Sequence, residues 1–431
     1  MASTYIYRGS GESTGNRRTF TWSAWIKRGK ISDQQIIAAC SADSSNRGYL
    51  YFTNGDAIGW TEDGGSTDIY TTRKFMDTNA WYHIVFANDT TQATASNRMK
   101  LYVNGEQVAL DGGSQPAQNY QLHFNRGGSY IPYIGTRAGS NPDYFDGCMS
   151  HVAHVDGTQE LPTIFGTTDN VTGVWSIKTS ITPSSGWGTN GYHILKDGNS
   201  GTDQSGQSNN WTVGAGTLTK TEDCPSNIFC IMNSPSASPT ITFTNGNTGL
   251  NYSSSVESGK GTLAFSSGKF YWEAKITVAT NYPMLGIGSY EDYRMQSPLA
   301  QGYPGQHTNS YGAYGNGNIY ANGSNTGSQS FTWSTNDIIG IAVDLDSGTK
   351  TIKWFKNGSQ IATYNITASS TYSPYDYNGQ EGGAGILYNF GNGYFGTTAV
   401  SSAGTNASNN GIFEYDVPAG YTALSTKGLN L

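Results

Sequence analysis

The sequence predicts an all-β chain of two tandem antiparallel β-sandwich (jelly-roll) domains, joined by an ordered connector rich in Gly, Asn and Ser. The first observation behind this is a repeated strand. Residues 20–26 read FTWSAWI and residues 270–276 read FYWEAKI, both Phe-x-Trp-x-Ala-x-Ile. The second is a repeated turn. KLYVNG at 100–105 and KWFKNG at 353–358 follow the two strands at nearly the same interval. The third is composition. Charged residues make up 13% of the 431 residues, 56 are Gly and 29 are Tyr, whereas about 25% charge is usual in soluble domains. No long stretch carries a 3.6-residue apolar period, so helix should be scarce.

Strand geometry explains the repeat, since side chains alternate between faces. Phe270, Trp272, Ala274 and Ile276 share one face, and Tyr271, Glu273, Lys275 and Thr277 the other. In the first copy Phe20, Trp22, Ala24 and Ile26 face in, and Thr19, Thr21, Ser23 and Lys27 face out, with Trp25 the exception. Each is the pattern of a strand with a core on one side and water on the other. Asn104-Gly105 and Asn357-Gly358 are type I′ turn pairs, which need φ > 0 at both residues.

Residues 1–160 read as one sandwich with an N-terminal arm. Its strands are expected at 19–27, 35–40, 48–53, 67–72, 81–87, 99–103, 131–135 and 145–155. WYHIVFA (81–87) is apolar on both faces and should be central. Residues 161–235 form the connector. Trp175, Ile177, Trp187, Tyr192, Ile194, Leu195 and Trp211 would be costly to expose, so it should pack on a neighbouring domain. Residues 236–431 form the second sandwich, with strands at 241–244, 270–278, 284–289, 311–314, 318–321, 337–344, 350–356, 360–365, 384–390 and 412–415.

Charge narrows the partners. The net charge is −7 with no basic block, and nucleic acid requires a positive footprint. The N-terminus, MASTYIYRGSGEST, lacks a basic-then-apolar signal peptide. No run approaches the roughly 18 apolar residues of a membrane span. Assembly in a cytoplasm with reduced thiols is therefore expected. Cys40 and Cys148 should be buried, and the spacing of Cys224 and Cys230 does not fit zinc. Asn-x-Ser/Thr triplets at Asn88, Asn170, Asn210 and Asn365 are accidents of composition.

Catalytic patterns are thin. His151 and His154 form H-x-x-H, but on a strand the two point to opposite faces. No Ser-His-Asp context or Gly-x-Ser-x-Gly elbow is recognisable. No acid pair suits the two carboxylates of a sandwich glycosidase, and Glu291-Asp292 are adjacent and point apart. Asp143 and Asp146, in SNPDYFDG, are of the kind that can hold Ca²⁺ at a sandwich rim; the alternative is a plain polar turn. Binding residues are easier to name. Tyr303, Tyr311, Tyr314 and Tyr320 gather in one loop-rich segment, and aromatic faces rimmed by Asn and Gly suit sugars or proteins. Arg8, Arg17 and Arg18 form one of the few cationic clusters and suit docking on an acidic neighbour. With so few charges opposing association, a homo-oligomer is expected.

The first half resembles laminin G-like, concanavalin A-type domains through TFTWSAWIKRG (19–29), WYHIVFANDT (81–90), NRMKLYVNGEQV (97–108) and YIGTRAGSNPDYFDGCMSHV (133–152). The second half resembles a SPRY (B30.2-like) sandwich through FYWEAKI, GIGSYED (286–292), the hairpin at 311–323, DIIGIAVDLDSGTKTIKWFKNG (337–358) and LYNFGNGYF (387–395). The connector, with GTNGYHILKDGNSGTDQSGQSNNWTV and TEDCPSNIFCIMN, and the ending VPAGYTALSTKGLNL are similar to segments of virion proteins of tailed phages, notably marine ones. The resemblance implies a non-enzymatic virion structural protein, without cofactor unless calcium is bound. It implies a tail-associated fibre, spike or appendage touching the host surface or another virion protein, and a three-fold arrangement of copies. A capsid decoration protein is the alternative, and a polysaccharide depolymerase a third reading that the missing carboxylate pattern disfavours. The usual laminin G disulfide has no evident counterpart.

Overall fold

In a computed structural model of the chain, the described residues are 3–9, 12–62, 67–111, 113–139, 143–196, 200–253, 257–279, 283–289, 302–379 and 383–431. They form two compact units, Met1–Lys220 and Thr221–Leu431. The stretch 161–235 is divided between them. Among the described residues there is no α-helix, only strands and short 3-10 turns.

The first unit is two sheets. One runs, in spatial order, Leu110–Asp111, Thr67–Lys74, Ala57–Glu62, Arg47–Phe52, Gln35–Ser41, Ile131–Ile134, Tyr5–Tyr7 and Thr212–Ala215. The other runs Tyr192–Ile194, Gly147–Asp156, Thr19–Arg28, Tyr82–Asp89, Met99–Val103 and Glu106–Val108. The inward faces of both supply one core, which holds Phe20, Trp22, Ala24 and Ile26 from the second sheet and Leu50, Phe52, Ile58 and Trp60 from the first. Residues beyond 160 add an edge strand to each sheet, and Tyr192, Ile194 and Trp211 enter the core.

The second unit repeats the plan. Its larger sheet runs Thr242–Thr244, Gly249–Tyr252, Ala384–Asn389, Lys269–Val278, Ile338–Asp344, Thr351–Lys356 and Ser359–Asn365, with Thr422–Ala423 pairing parallel to Lys269–Val278. The other runs Glu257–Lys260, Tyr372–Asn378, Met284–Ser289, Ser310–Tyr314, Asn318–Ala321 and Ser324–Ser328. Trp272, Trp333 and Trp354 lie in the core between them.

The sequence repeat corresponds to a three-strand block in identical register. Trp22 faces Phe86, Ala24 faces Ile84, and Ile84 faces Val103 just before the turn. Trp272 faces Ile341, Ala274 faces Ile339, and Ile339 faces Lys356 just before its turn. Both Trp side chains are 1% exposed. Both turns have left-handed Asn and Gly, at φ 51° and 83° for Asn104-Gly105 and 49° and 82° for Asn357-Gly358. Each Asn also locks the neighbouring strand. Asn104 Oδ1 accepts from the His83 N–H at 2.8 Å, and Asn357 Oδ1 accepts from the Ile338 N–H at 2.9 Å.

Three expectations need correction. The outward faces of the two repeated strands are only partly in water, with Thr19, Lys275 and Thr277 half-exposed. Thr21, Ser23, Trp25 and Lys27 are buried, because residues 158–187 cover them. Thr21 Oγ1 donates to Thr158 O and accepts from the Glu160 N–H, while Phe165 packs on Val85, Ala87, Ala153 and Val155. Tyr271 and Glu273 are buried as well. Residues 412–415 are not a strand, because the Glu414 and Tyr415 N–H groups both donate to the Glu273 carboxylate instead of to a ladder. Cys148 is half-buried rather than buried, since it sits near the end of its strand opposite Lys27. All four cysteines are free thiols.

Candidate functional site

The tyrosine-rich segment of the second unit lies on its six-stranded sheet, and cross-strand register sorts its members by face. Tyr314 and Tyr377 both pair with Met284, which places the three side by side on the outer face. In the next row Tyr320 pairs with Gly312, Gly312 with Gly286, and Gly286 with Tyr375. Two glycines in mid-sheet leave a shallow trough, and Pro304 fills part of it. A methyl group on Gly312 would meet the Pro304 Cβ at 2.5 Å. The turn holding Pro304 brings Tyr303 over the face, 5.4 Å from the Tyr320 ring and 5.6 Å from the Tyr377 ring. Tyr303, Tyr314, Tyr320 and Tyr377 are all half-exposed.

Tyr311 does not belong to this face. It pairs with Ile287, points inward and is fully buried, with its hydroxyl accepting from the Thr367 N–H. Alternation along a strand forces this, because Tyr311 and Tyr314 differ by an odd number of residues. Tyr377 was missed by sequence reasoning. It lies far along the chain, and the only signal was the alternation of Tyr375 and Tyr377 in YSPYDYN.

Burial pushes the Tyr303 and Tyr377 hydroxyls up, and the neighbouring tyrosines add to the shift. These two hydroxyls keep their protons at physiological pH. The buried acids of the unit are engaged elsewhere. Asp376 accepts from the Tyr252 and Tyr388 hydroxyls and from the Gly259 N–H at 2.7 Å, and burial holds its pKa up. Glu273 accepts from the Glu414 and Tyr415 N–H groups at 2.9 Å, and from Tyr271 and Asn389 at 3.2 Å. Burial raises Glu273 to about 7, against the pull of those four donors.

The cationic cluster is broken up. Arg8 is buried and donates to Glu12 at 2.5 Å and to Asn209 at 2.8 Å. Arg17 donates to the Leu122 and Gln121 carbonyls at 2.6 and 2.8 Å, and burial lowers its pKa. Only Arg18 of the three is exposed. The arm is thus part of the first unit: Tyr5–Tyr7 is a sheet strand, and the Asn16 N–H donates to Asp156 at 2.7 Å.

The remaining candidates do not assemble. Asp143 Oδ2 accepts from Arg137 and from Gln34 at 2.9 Å, and Asp146 is half-buried. His151 sits at φ 50° in a bulge beside His193, while His154 faces the core against Phe20 and Tyr192. Burial drops His154 to about 4. Among the described residues no group of three or more His, Cys, Asp or Glu could hold a metal ion. Glu291 and Asp292 lie outside the described residues.

Comparison with known proteins follows the same division. Residues 2–162 match the sequence profile of the concanavalin A-like lectin/glucanases superfamily, and residues 269–375 that of the SPRY domain. No curated protein matches the chain. Similar solved structures include the TRIM65 PSpry domain, at 16% identity and TM-score 0.31, covering 37% of this chain and 88% of that one. They also include the SPRY domain of human HERC1, at 17% identity and TM-score 0.31, covering 36% and 96%. A human SPRY domain shows 16% identity and TM-score 0.28, covering 35% and 94%. The chain carries a concanavalin A-like domain in its first unit and a SPRY domain in its second.

Proposed function

We propose that this chain is a non-enzymatic binding protein of a tailed-phage particle, a tail-associated appendage that holds a host-surface or virion partner. The observation that carries the binding half of this reading is the face of Tyr303, Tyr314, Tyr320 and Tyr377 on the second unit. Half-exposed neutral rings over a shallow trough contribute apolar area and hydrogen bonds with little entropy loss, which suits an interface. Concanavalin A-like and SPRY domains are typically binding or interaction modules, which supports the reading. The virion assignment rests on the resemblance of the connector and the C-terminal segment. The non-enzymatic assignment rests on chemistry: Glu273 and Asp376 are each committed to three or four structural donors.

The test combines a particle reconstruction with variants. Density for this chain at the tail is expected, and density on the head lattice would instead favour capsid decoration. Tyr320→Ala and Tyr377→Ala should assemble normally and weaken adsorption to the host. Unchanged adsorption in the double variant would remove the tyrosine face from the account.

A further inference from the structure

The first unit carries a hairpin with a ladder of its own. Gly166–Thr168 and Trp175–Ile177 form a separate two-stranded sheet. The hairpin closes its own tip. The Asp169 N–H donates to Val174 O at 2.8 Å, and the Asp169 carboxylate accepts from the Val171 and Thr172 N–H groups at 2.9 and 2.7 Å. At the base the Lys178 N–H donates to Phe165 O at 3.1 Å, and Phe165 is buried among Val85, Ala87, Ala153 and Val155. Residues 167–174 are all exposed. The hairpin lies beyond residues 2–162, which match the concanavalin A-like profile. It can swing about its base without breaking the ladders of the sandwich, which is the kind of local opening that costs least.

Trp175 fastens the hairpin to the six-stranded sheet. Its ring lies over His83, with centroids 5.9 Å apart and planes 23° from parallel. Two glycines shape its seat: a methyl group on Gly105 or on Gly166 would meet the indole at 2.5 Å. The indole N–H donates to His83 Nδ1 at 2.9 Å. An indole can only donate, so Nδ1 is the unprotonated nitrogen. Nε2 then carries the hydrogen and donates to Ser23 Oγ at 2.9 Å. Trp25 stacks on the same imidazole at 4.9 Å, and His83 is 1% exposed. The contact therefore requires a neutral imidazole, because a proton on Nδ1 would set one donor against another. The other titratable side chains on this side of the sheet are Lys27, Tyr102, Cys148 and His151, and none is a carboxylate that would welcome the charge. On the hairpin, Lys178 Nζ donates to Thr163 O at 2.6 Å, and Asp169 is engaged at the tip. Burial drops His83 to about 3, and His151 pushes in the same direction.

We propose that this hairpin is an acid-released lid, held shut by the Trp175 N–H on neutral His83 and opened when His83 takes up a proton. Opening turns the hairpin about Phe165 and bares the imidazole. Proton linkage sets the window. In the open form His83 returns to its ordinary value near 6.5, while in the closed form it stays at about 3. The closed form is therefore fully favoured above about pH 6.5. As pH falls, the open form takes the proton first, and the closed-to-open ratio drops about tenfold per pH unit until the closed form itself protonates near 3. At about pH 5 the ratio is about thirtyfold below its neutral value. A histidine with this wiring responds to mild acid long before its own closed-state titration, because the lid and the proton compete for Nδ1.

The test is hydroxyl-radical footprinting of the full-length chain from about pH 7.5 to about pH 4, read residue by residue by mass spectrometry. Labelling of His83 and Trp175 should rise about tenfold per pH unit below about pH 6.5. Trp22, 1% exposed in the core of the same unit, should stay protected throughout. His83→Gln should flatten the profile, since its amide can accept from Trp175 and donate to Ser23 but takes up no proton. Trp175→Phe, which keeps a ring and loses the donor, should raise labelling of His83 at neutral pH. Flat labelling of His83 and Trp175 down to about pH 4, or the same rise in His83→Gln as in the parent, would overturn the proposal. Labelling of Trp22 in step with Trp175 would overturn it too, because acid would then be unfolding the unit rather than lifting a lid. Should His83→Gln fail to fold, nuclear magnetic resonance of isotope-labelled histidine in the parent decides, with the His83 signal identified by its shift in Trp175→Phe. Titration of His83 well below about 6.5 is expected, and titration at its ordinary value would overturn the lid.

Discussion

At the scale of single residues, the alternation of faces decides which tyrosines face outward and which hold the fold. Tyr311→Ala removes a fully buried ring from the second core and should destabilise that unit by about 3–5 kcal/mol, as other large-to-small aromatic changes do. Tyr320→Ala, half-exposed on the other face, should cost about 1 kcal/mol or less. Chemical denaturation of the two variants checks the contrast, and equal losses would mean that the faces are misassigned. Glu273 gives a second residue-scale expectation. Its folded pKa, raised to about 7 chiefly by burial, lies above the usual unfolded value near 4.3. The folded unit therefore binds the extra proton between those values. The stability it contributes is fully present below about pH 4.3 and is lost as pH rises through about 7. The loss is of the order of 3 kcal/mol. Glu273→Gln should flatten that slope of the unfolding free energy against pH. It should also cost stability at acid pH, because its amide group would face the Glu414 or Tyr415 N–H. A variant whose slope matches the parent would show that another group titrates.

At the scale of elements, the repeated block sets what was legible. Phe-x-Trp-x-Ala-x-Ile and the Asn-Gly turn are local signals, and the structure places them in the same register in both units. Trp22→Ala and Trp272→Ala should therefore destabilise their own units by similar amounts, about 3–5 kcal/mol each. Asn357→Ala should cost about 1–2 kcal/mol, since alanine resists the left-handed turn and the Ile338 N–H loses its acceptor. Asn357→Gly should cost less, because it relieves the backbone while still losing that acceptor. Strands without such signals escaped notice. Gly249–Tyr252, Glu257–Lys260 and Tyr372–Asn378 read as turn or mixed sequence, with Pro374 inside the last. Tertiary packing rather than propensity makes them strands. The covered outer faces were illegible for a related reason. Ser23 and Glu273 look solvent-exposed by alternation, and only segments distant in sequence, 158–187 and 412–416, bury them. The tyrosine face was half-legible: Tyr303, Tyr314 and Tyr320 lie close in the chain, while Tyr377 joins them only through sheet pairing.

At the scale of the whole molecule, the N-terminal arm decides how attachment to a particle can be tested. Removing residues 1–18 would delete the Tyr5–Tyr7 strand, the buried Arg8 and the Asn16 contact to Asp156. Lost incorporation would then follow from a damaged first unit and would say nothing about docking. Arg18 offers a cleaner probe, because its side chain is exposed. If the first unit docks on an acidic neighbour in the particle, charge reversal should act on association and leave the fold intact. Arg18→Glu is thus expected to unfold within about 0.5 kcal/mol of the parent. Its incorporation into particles should fall, and fall further at low salt, where screening is weakest. Arg18→Lys should restore it. Normal incorporation of Arg18→Glu at low salt would remove the arm from the attachment surface and leave the sheet faces as the remaining candidates. Light scattering of the same proteins reads the second whole-molecule expectation, a closed homo-oligomer with three copies. A chain that stays monomeric over the concentration range of the binding experiments, and that makes no contact with its copies in the particle, would exclude symmetric closure as the way this protein gains avidity.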